Sequence, residues 1–170
     1  MEKEYRQSYA SPLGTMVMRS DGAALTALRF VDGVFSLPAP ADAFLPPVFE
    51  ETRRWLDLYF SGEAPGFTPP LALSGSPFER TVWSILRAVP YGQTVSYGAV
   101  ARAVAARLGQ PRMAAQAVGR AAGRNPVALI VPCHRVIGAS GALTGYAAGL
   151  DRKARLLALE NAALTADYLP

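Results

Sequence analysis

The sequence predicts an α/β (α+β) protein in two parts: a small N-terminal domain of strands and one helix, then a mainly helical C-terminal domain. Short β-type runs separated by the turn pairs Asp21-Gly22 and Asp32-Gly33 indicate the first part. Amphipathic helical spacing, with capping signals, indicates the second. Residues 66–75 contain two prolines and two glycines and predict a linker. The predicted domains are residues 1–70 and 76–165.

Each element of the N-terminal part follows from local pattern. Runs of β-type residues predict strands at Thr15–Met18 and Ala24–Phe30. A proline-rich loop then extends from Leu37 to Pro47. Apolar and aromatic residues at helical spacing predict a helix over Val48–Phe60, which Ser61-Gly62 ends.

The C-terminal part opens with a strong helix start. Ser76, Pro77 and Glu79 are suited to the cap, the first helical position and the third. Ser96 predicts the cap of a second helix, Tyr97–Leu108. Gly109-Gln110-Pro111 ends that helix and begins a third, Pro111–Gly123, rich in alanine and glycine. Two helices joined by a short turn fit a helix-turn-helix, although ordinary helical hairpins look the same.

Charge is distributed unevenly along the chain. Residues 1–75 carry a net charge of −3 and residues 76–170 a net charge of +7. No carboxylate occurs between Glu79 and Asp151, whereas eight arginines do. A long basic stretch without acids is typical of a protein that binds a polyanion such as nucleic acid. A compositional bias toward arginine and alanine is the alternative explanation.

Composition excludes several classes of protein. No apolar run has the length of a membrane span, and the first residues do not resemble a secretion signal, so we expect a cytoplasmic protein. The chain has one cysteine, Cys133, and one histidine, His134. An internal disulfide and a structural zinc site of cysteine and histidine are therefore impossible. We expect chemistry without a metal or cofactor.

Residues 125–135 read NPVALIVPCHR, an apolar run predicted to be strand-like, which ends at Cys133 and His134. A cysteine seen alone is usually an inert core residue. Here an adjacent imidazole and the positive charge of Arg135 favour a nucleophile, because only the thiolate attacks. We expect the imidazole to keep this thiol partly ionised.

The string PCHRVIGASGALTGYAAGLDRKARLLALE, from Pro132 to Glu160, resembles the signature of the O6-alkylguanine-DNA alkyltransferases, also named methylated-DNA–protein-cysteine methyltransferases. The resemblance extends upstream through Asn125-Pro126, Ala117-Val118-Gly119 and Val95-Ser96-Tyr97, and it covers residues 76–162. The N-terminal part resembles the family's variable α/β domain only in its general pattern of strands and a helix. The resemblance implies that the helix-turn-helix is of the winged type.

The resemblance also implies roles for four residues. Cys133 would accept the alkyl group, and His134 would take the thiol proton through a bound water. Glu160 would orient the imidazole, and Tyr97 would donate a proton to the purine N3. Each molecule would act once, on O6-alkylguanine and also on O4-alkylthymine. Without the resemblance, core packing is the better explanation for Tyr97, and a surface position on a helix from Arg152 to Ala162 is the better explanation for Glu160.

The resemblance further implies a pocket for a base rotated out of the duplex. Tyr146 would form its wall, with Ala147 and Ala148 on the loop that closes it. The backbone carbonyls of Cys133 and Val136 would bind the guanine amine, and Asn125 would connect the recognition helix to the active-site strand through side-chain hydrogen bonds. The partner would be double-stranded DNA, bound by a monomer through the minor groove. The implied DNA contacts are Ser96, Arg112, Ala115, Gln116, Ala117, Gly119, Arg120 and Arg135.

Two residues depart from the family's pattern. Gln116 stands where most relatives have an arginine that enters the base stack, which predicts weaker DNA binding or base flipping. Arg112 and Arg120 could compensate through phosphate contacts. Ala148 stands where the family usually has glycine, and its methyl group could disfavour bulky benzyl adducts.

Three other functions stay open at this point. A non-enzymatic lesion-binding protein of the alkyltransferase-like type is disfavoured, since those proteins lack the cysteine. A cysteine hydrolase is disfavoured because adjacent Cys133 and His134 are poorly placed for a dyad whose members normally come from separate elements. A DNA-binding regulator with an inert cysteine is the third.

Overall fold

The computed structural model describes residues 3–33, 37 and 44–162. The chain divides into two compact units. One contains residues 1–74 together with 126–128, and the other contains 75–125 together with 129–170. An antiparallel sheet in the first unit and a set of helices in the second confirm the predicted α/β fold class.

The first unit is built on a three-stranded antiparallel sheet in the order β1-β2-β3, with β1 at Tyr5–Ser11, β2 at Gly14–Ser20 and β3 at Leu25–Phe30. The sequence does not predict strand β1, because most of its residues are polar and no apolar residues alternate along it. Helix α1, Pro47–Phe60, packs on this sheet, and the Tyr9 hydroxyl donates to Asp57 at 2.7 Å. The predicted proline-rich loop lies largely outside the described residues. The core of this unit comprises Met16, Met18, Leu25, Leu28, Phe49, Leu56 and Tyr59.

Three helices form the centre of the second unit: α2 at Pro77–Arg87, α3 at Tyr97–Leu108 and α4 at Ala115–Gly123. The predicted capping box of α2 is present, with the Ser76 side chain accepting from the backbone N–H of Glu79. Ser96 caps α3 as predicted. The buried Trp83 indole donates to the carbonyl of Ala121 at 2.8 Å and so fixes α2 against α4. Helices α3 and α4 form the predicted helix-turn-helix.

Helix α4 begins at Ala115, four residues later than predicted. Gly109 ends α3 in the left-handed conformation, at φ +65°, and the N–H of Gln110 donates back to Ala105. The chain needs the following residues, including Pro111, to reverse direction. Pro111 is therefore part of the turn and not the first residue of a helix.

The stretch predicted as strand-like, residues 125–132, is irregular. Leu129 adopts φ +70°, a left-handed conformation that a strand does not contain, and Pro126 and Pro132 cannot donate ladder hydrogen bonds. Only an isolated bridge, Leu28 to Val127, is formed with the sheet of the first unit. The strand prediction for this stretch is wrong.

The chain after Pro132 supplies the remaining elements of the second unit. A 3₁₀ turn at Cys133–Arg135 leads directly into β5, Val136–Ile137, which pairs in parallel with β4, Val95–Ser96. Helix α5 follows at Leu150–Leu159. No helix within the described ranges has both the length and the apolar character needed to cross a bilayer.

Candidate active site

Cys133 lies at the edge of a cavity of about 590 Å³. The residue is 9% exposed, and its position is set by the 3₁₀ turn that follows Pro132. The Asn125 amide donates to its sulfur at 3.2 Å and to the carbonyl of Val131 at 2.7 Å. Asn125 thus joins the end of α4 to the turn that carries the thiol. The cavity is lined by Tyr97, Ala115, Gln116, Gly119, Arg120, Ala122, Gly123, Cys133, Thr144, Gly145, Tyr146 and Ala147.

The surroundings of the Cys133 thiol favour its protonated form. Burial raises the pKa of Cys133, and the Asn125 bond and the charge of Lys153 oppose this only in part. The direction of this shift is opposite to that expected if the imidazole keeps the thiol partly ionised. A buried sulfur loses the hydration that a thiolate needs, and this cost exceeds the stabilisation from its neighbours.

His134 and Glu160 form a buried pair beside the thiol. The imidazole Nε2 lies 2.5 Å from a carboxylate oxygen of Glu160, and both side chains are wholly buried. The carboxylate assigns the ring proton to Nε2, so that Nδ1 is the basic nitrogen. Burial lowers the pKa of His134, although the carboxylate opposes the shift. The imidazole is therefore neutral and able to accept a proton.

Glu160 is the centre of a charged cluster, defined here as His134, Arg135 and Glu160. Its second oxygen accepts from Arg135 Nε at 2.7 Å and from the backbone N–H of Gly92 at 3.0 Å. Burial alone would raise the pKa of Glu160, but the bonds from His134 and Arg135 outweigh it and lower the pKa to about 2. The surface position considered from sequence is excluded. The residue follows the last turn of α5, which ends before it.

Tyr97 begins α3 and forms part of the cavity wall. Its hydroxyl donates to the carbonyl of Thr144 at 2.8 Å, with Gly145 O at 3.4 Å. Burial raises the pKa of Tyr97, so the hydroxyl keeps its proton. Residues 144–148 are called the pocket loop here. The hydrogen bond from the Tyr97 hydroxyl to this loop is not explained by packing of the ring in the core.

The predicted pocket residues divide into two groups. Tyr146 and Ala147 line the cavity, and no described residue is a hydrogen-bond partner of the buried Tyr146 hydroxyl. Asn125, Val136 and Ala148 are not among the lining residues. The Val136 carbonyl accepts from Lys153, and the Ala148 carbonyl accepts from Arg152 at 3.1 Å.

Lys153 is the site residue that sequence reasoning missed. It is wholly buried on α5, and its ammonium donates to the carbonyls of Val136, Thr144 and Gly145. The signal was present in the sequence, because Lys153, Leu156 and Leu157 share the i, i+3, i+4 stripe that α5 buries. A lysine on an apolar stripe indicates a buried cation.

The predicted DNA contacts also divide. Ala115, Gln116, Gly119 and Arg120 line the cavity of Cys133. Ala117 lies beside a second groove, and Arg112 is exposed in the turn before α4.

Two of the predicted DNA contacts, Ser96 and Arg135, are buried and hydrogen-bonded within the protein. Ser96 is buried and caps α3. Arg135 is buried against Glu160 and the carbonyl of Val89, so its guanidinium does not face a ligand at the surface. Neither side chain is exposed for a contact with DNA, contrary to the expectation from sequence.

Within the described residues, no three histidine, cysteine or acidic side chains come together as metal ligands would. The arrangement instead consists of a single thiol that faces a cavity, a neutral imidazole held by an ionised carboxylate, and a helix-turn-helix whose second helix forms the cavity wall. These features define a class of protein in which the reactive group is a cysteine next to a helix-turn-helix, a motif that often binds DNA.

Comparisons with known proteins identify the family. The model of the 6-O-methylguanine DNA methyltransferase DNA-binding domain matches residues 77–162, and that of the ribonuclease-like domain of the same enzymes matches residues 5–73. A methylated-DNA–protein-cysteine methyltransferase of Mycolicibacterium paratuberculosis is 47% identical, over 92% of each chain. One from Methanosarcina acetivorans is 43% identical over 92% of this chain and 97% of its own.

Solved structures of similar proteins indicate the same family. Mycobacterium tuberculosis O6-methylguanine methyltransferase is similar at a TM-score of 0.76 and 41% identity, over 94% of this chain and 93% of that one. A crystal structure of the M. tuberculosis OGT in complex with DNA gives a TM-score of 0.77 at 42% identity, over 92% of both chains. The chain belongs to the 6-O-methylguanine DNA methyltransferase family.

Proposed function

We propose that this protein repairs DNA by transferring the alkyl group of O6-alkylguanine to Cys133. The observation that carries the proposal is the thiol of Cys133, which opens onto a cavity between the pocket loop and α4, with the His134–Glu160 pair beside it. Relatives that are 43–47% identical are named methylated-DNA–protein-cysteine methyltransferases. The inert-cysteine alternative does not account for the buried acid–base pair next to the sulfur.

The reaction is one displacement. The thiol proton passes to His134, through a bound water, and the ionised Glu160 stabilises the imidazolium that results. The sulfur attacks the alkyl carbon, so that the S–C bond forms as the O6–C bond breaks, and the electron pair leaves with the purine. Tyr97 donates a proton to N3 and neutralises the charge on that leaving group. General acid help of this kind is worth roughly 10²- to 10⁴-fold in rate.

Because burial raises the pKa of the Cys133 thiol, proton transfer to His134 has to precede or accompany the attack on the alkyl carbon. The thioether that forms is not hydrolysed, so each molecule acts once.

We infer that DNA binds along α4. The base is rotated out of the duplex into the cavity, where Tyr146 and Ala147 form the wall and Gln116 faces the space the base has left. The minor groove is narrow, about 6 Å, which suits a helix surface of alanine and glycine. Arg112 and Arg120 contact phosphates. The crystal structure of the M. tuberculosis relative in complex with DNA supports DNA as the partner.

Several finer assignments belong to the same proposal. Asn125 positions the turn that bears the thiol, and the carbonyl of Cys133 binds the guanine amine. The pocket loop, which includes Ala148, closes the pocket. Residues 76–165 carry the chemistry and DNA binding, while residues 1–70 give structural support. The protein acts as a cytoplasmic monomer without a cofactor and also accepts O4-alkylthymine.

Intact-protein mass spectrometry tests the proposal. After mixing with duplex DNA that contains O6-methylguanine, the protein should gain one methyl group, and peptide mapping should place it at Cys133. Cys133→Ser and an unmethylated duplex are the matched controls and should give no gain. A hydrolase, a lesion-binding protein or a regulator would also give no gain, and that outcome with the wild type would contradict the proposal.

A further inference from the structure

A groove lies next to the cavity of Cys133, between α3 and residues 110–113. We call it the basic groove, and its volume is about 520 Å³. Tyr97, the first residue of α3, lines the cavity, whereas its neighbour Gly98 lines the basic groove. Ala115, the first residue of α4, lines both spaces. The basic groove therefore adjoins the cavity where α3 and α4 begin.

One face of α3 forms a wall of the basic groove. Its residues recur at helical spacing, and all but one are glycine or alanine: Gly98, Ala101, Arg102, Ala105 and Ala106. The small side chains leave the groove open, and Arg102 supplies the one long side chain of this wall. The Nη1 atom of Arg102 lies 3.6 Å from the position that a Cβ on Gly98 would occupy. The guanidinium thus folds back along α3 to the end of the groove that adjoins the cavity.

The basic groove carries positive charge on both of its walls. Arg102 lies on the α3 wall and Arg112 on the other, and both residues are exposed. Within the described residues, neither arginine is paired with a carboxylate, and no carboxylate lines the groove. The exposed Arg124, by contrast, is paired with Glu79 at 3.1 Å. Two cations that no acid neutralises favour an anionic ligand between them.

The anion that the neighbouring site brings to this groove is the DNA backbone. A base that enters the cavity leaves its phosphates outside, and its strand continues past the opening in both directions. On the side where Gly98 and Ala115 lie, that strand meets the basic groove. Successive phosphates of one strand are about 3.4 Å apart along the duplex axis, so the two arginines can face neighbouring phosphates. A guanidinium suits this contact because it can pair with two phosphate oxygens at once.

We propose that the basic groove binds phosphates of the strand that carries the lesion, on one side of the rotated base only. Arg102 and Arg112 contact these phosphates from the two walls of the groove. The footprint of the protein on the damaged strand is therefore asymmetric about the lesion. This inference rests on the proposed function, and it adds to that function a binding site for the backbone and the residue Arg102.

The first test measures equilibrium binding of three variants to an unmethylated duplex at several salt concentrations. Arg102→Gln removes the charge, Arg102→Lys keeps it, and Arg107→Gln removes an exposed cation of α3 that is bonded to Ser84 and does not line the groove. We expect Arg102→Gln to weaken binding by about 10-fold, the effect of one lost hydrogen bond to a charged group. The slope of log affinity against log salt should become shallower by about one unit. Arg102→Lys should keep the wild-type slope, and Arg107→Gln should match the wild type in both measurements.

The second test locates the contact on the DNA. Each phosphate near an O6-methylguanine is replaced in turn by an uncharged methylphosphonate, and binding is measured with proteins that carry Cys133→Ser, so that no methyl group is transferred. On the lesion strand, we expect weaker binding for one or two adjacent replacements, all on the same side of the lesion. When Arg102→Gln is added, the replacement that faces Arg102 should cost nothing further, because its partner is already absent.

Wild-type affinity and salt dependence in Arg102→Gln would overturn the proposal and would leave the groove to a different partner. Losses distributed equally on both sides of the lesion would also overturn it, and so would a coupling of Arg102 to the complementary strand alone. Because Arg102 is exposed, Arg102→Gln should unfold at the same temperature as the wild type, and the methylphosphonate scan with Cys133→Ser alone does not depend on that variant. Failure of the wild type to take up any methyl group would instead count against the proposed function.

Discussion

Two regions flank Cys133 and are held together differently. The charged cluster is joined side chain to side chain, with Glu160 bonded to His134 at 2.5 Å and to Arg135 at 2.7 Å. The pocket loop, residues 144–148, is held through its backbone carbonyls by Tyr97 and Lys153. The cluster is buried and paired, which favours a fixed arrangement. The loop lines the cavity, and one of its donors is also the proposed proton donor to the substrate. In the proposed reaction the fixed region provides the base that takes the thiol proton, and we expect the loop to adapt to the ligand.

The largest expected effect tests the fixed region. Glu160→Gln removes the charge that supports the imidazolium and leaves the buried guanidinium of Arg135 without its ion pair. We expect a loss of about 3 kcal/mol in the free energy of unfolding and a fall of at least about 10²-fold in the single-turnover repair rate. Urea unfolding and repair kinetics measure the two effects. Asp151→Asn, an exposed acid on the same helix, is the control and should cost well under about 1 kcal/mol.

The pH dependence of stability gives the same test without relying on a repair assay. The pKa of Glu160 is lowered to about 2 in the folded state, so its contribution is present above its ordinary range and lost as pH falls from about 4.5 toward 2. The wild type should lose about 3 kcal/mol across that window because of this group. Glu160→Gln should lack this component. Parallel pH curves for the two proteins would show that the carboxylate is not held by the cluster.

The contrast also explains what could be predicted from sequence. The capping box of α2 and the Ser96 cap of α3 depend on neighbouring residues, and both were found. The residues of the charged cluster were named because motifs at 133–135 and 160 carry the family resemblance. The left-handed Leu129 was missed, because no local rule assigns that conformation to leucine.

Arg135 and Lys153 show which part of the site was not predictable. A positive charge outside an apolar helical stripe does not reveal its burial, so the sequence assigns Arg135 to DNA although it is bonded to Glu160. The stripe of Lys153, Leu156 and Leu157 indicates that the lysine is buried, but it does not identify the partners of the ammonium. The acceptors of Lys153 are backbone carbonyls 8, 9 and 17 residues away. Such contacts depend on tertiary structure and leave no pattern of side chains to recognise.

A smaller effect is expected at the DNA-facing wall of the cavity. Gln116 lines this wall and is exposed, so an arginine there can reach DNA without disturbing the core. We expect Gln116→Arg to raise the repair rate at limiting DNA several-fold, with about one added unit in the salt dependence of binding. Asp151→Asn changes the net charge by the same amount at an exposed position that does not line this cavity. If both variants behave alike, the gain reflects net charge; an unchanged or slower Gln116→Arg contradicts the prediction.

The smallest expected effect concerns the loop itself. Ala148 was predicted to narrow the pocket, yet Ala147 lines the cavity and Ala148 does not. A methyl group in direct contact with a ligand is worth about 10- to 200-fold in discrimination. We therefore expect Ala148→Gly to improve repair of benzyl over methyl adducts by less than about 10-fold, on the lower side of that scale. Ala147→Gly should give the larger change.

Competition between the two adducts at limiting protein measures both variants against the wild type. Equal relative rates in all three proteins would mean that the pocket loop moves aside for any adduct, and its alanines then set no size limit. A larger change in Ala148→Gly than in Ala147→Gly would mean that the loop reorganises when a base enters. In that case the contacts of Tyr97 and Lys153 with Thr144 describe only the empty cavity. Either result would sharpen the distinction between a charged cluster that stays fixed and a loop that responds to its ligand.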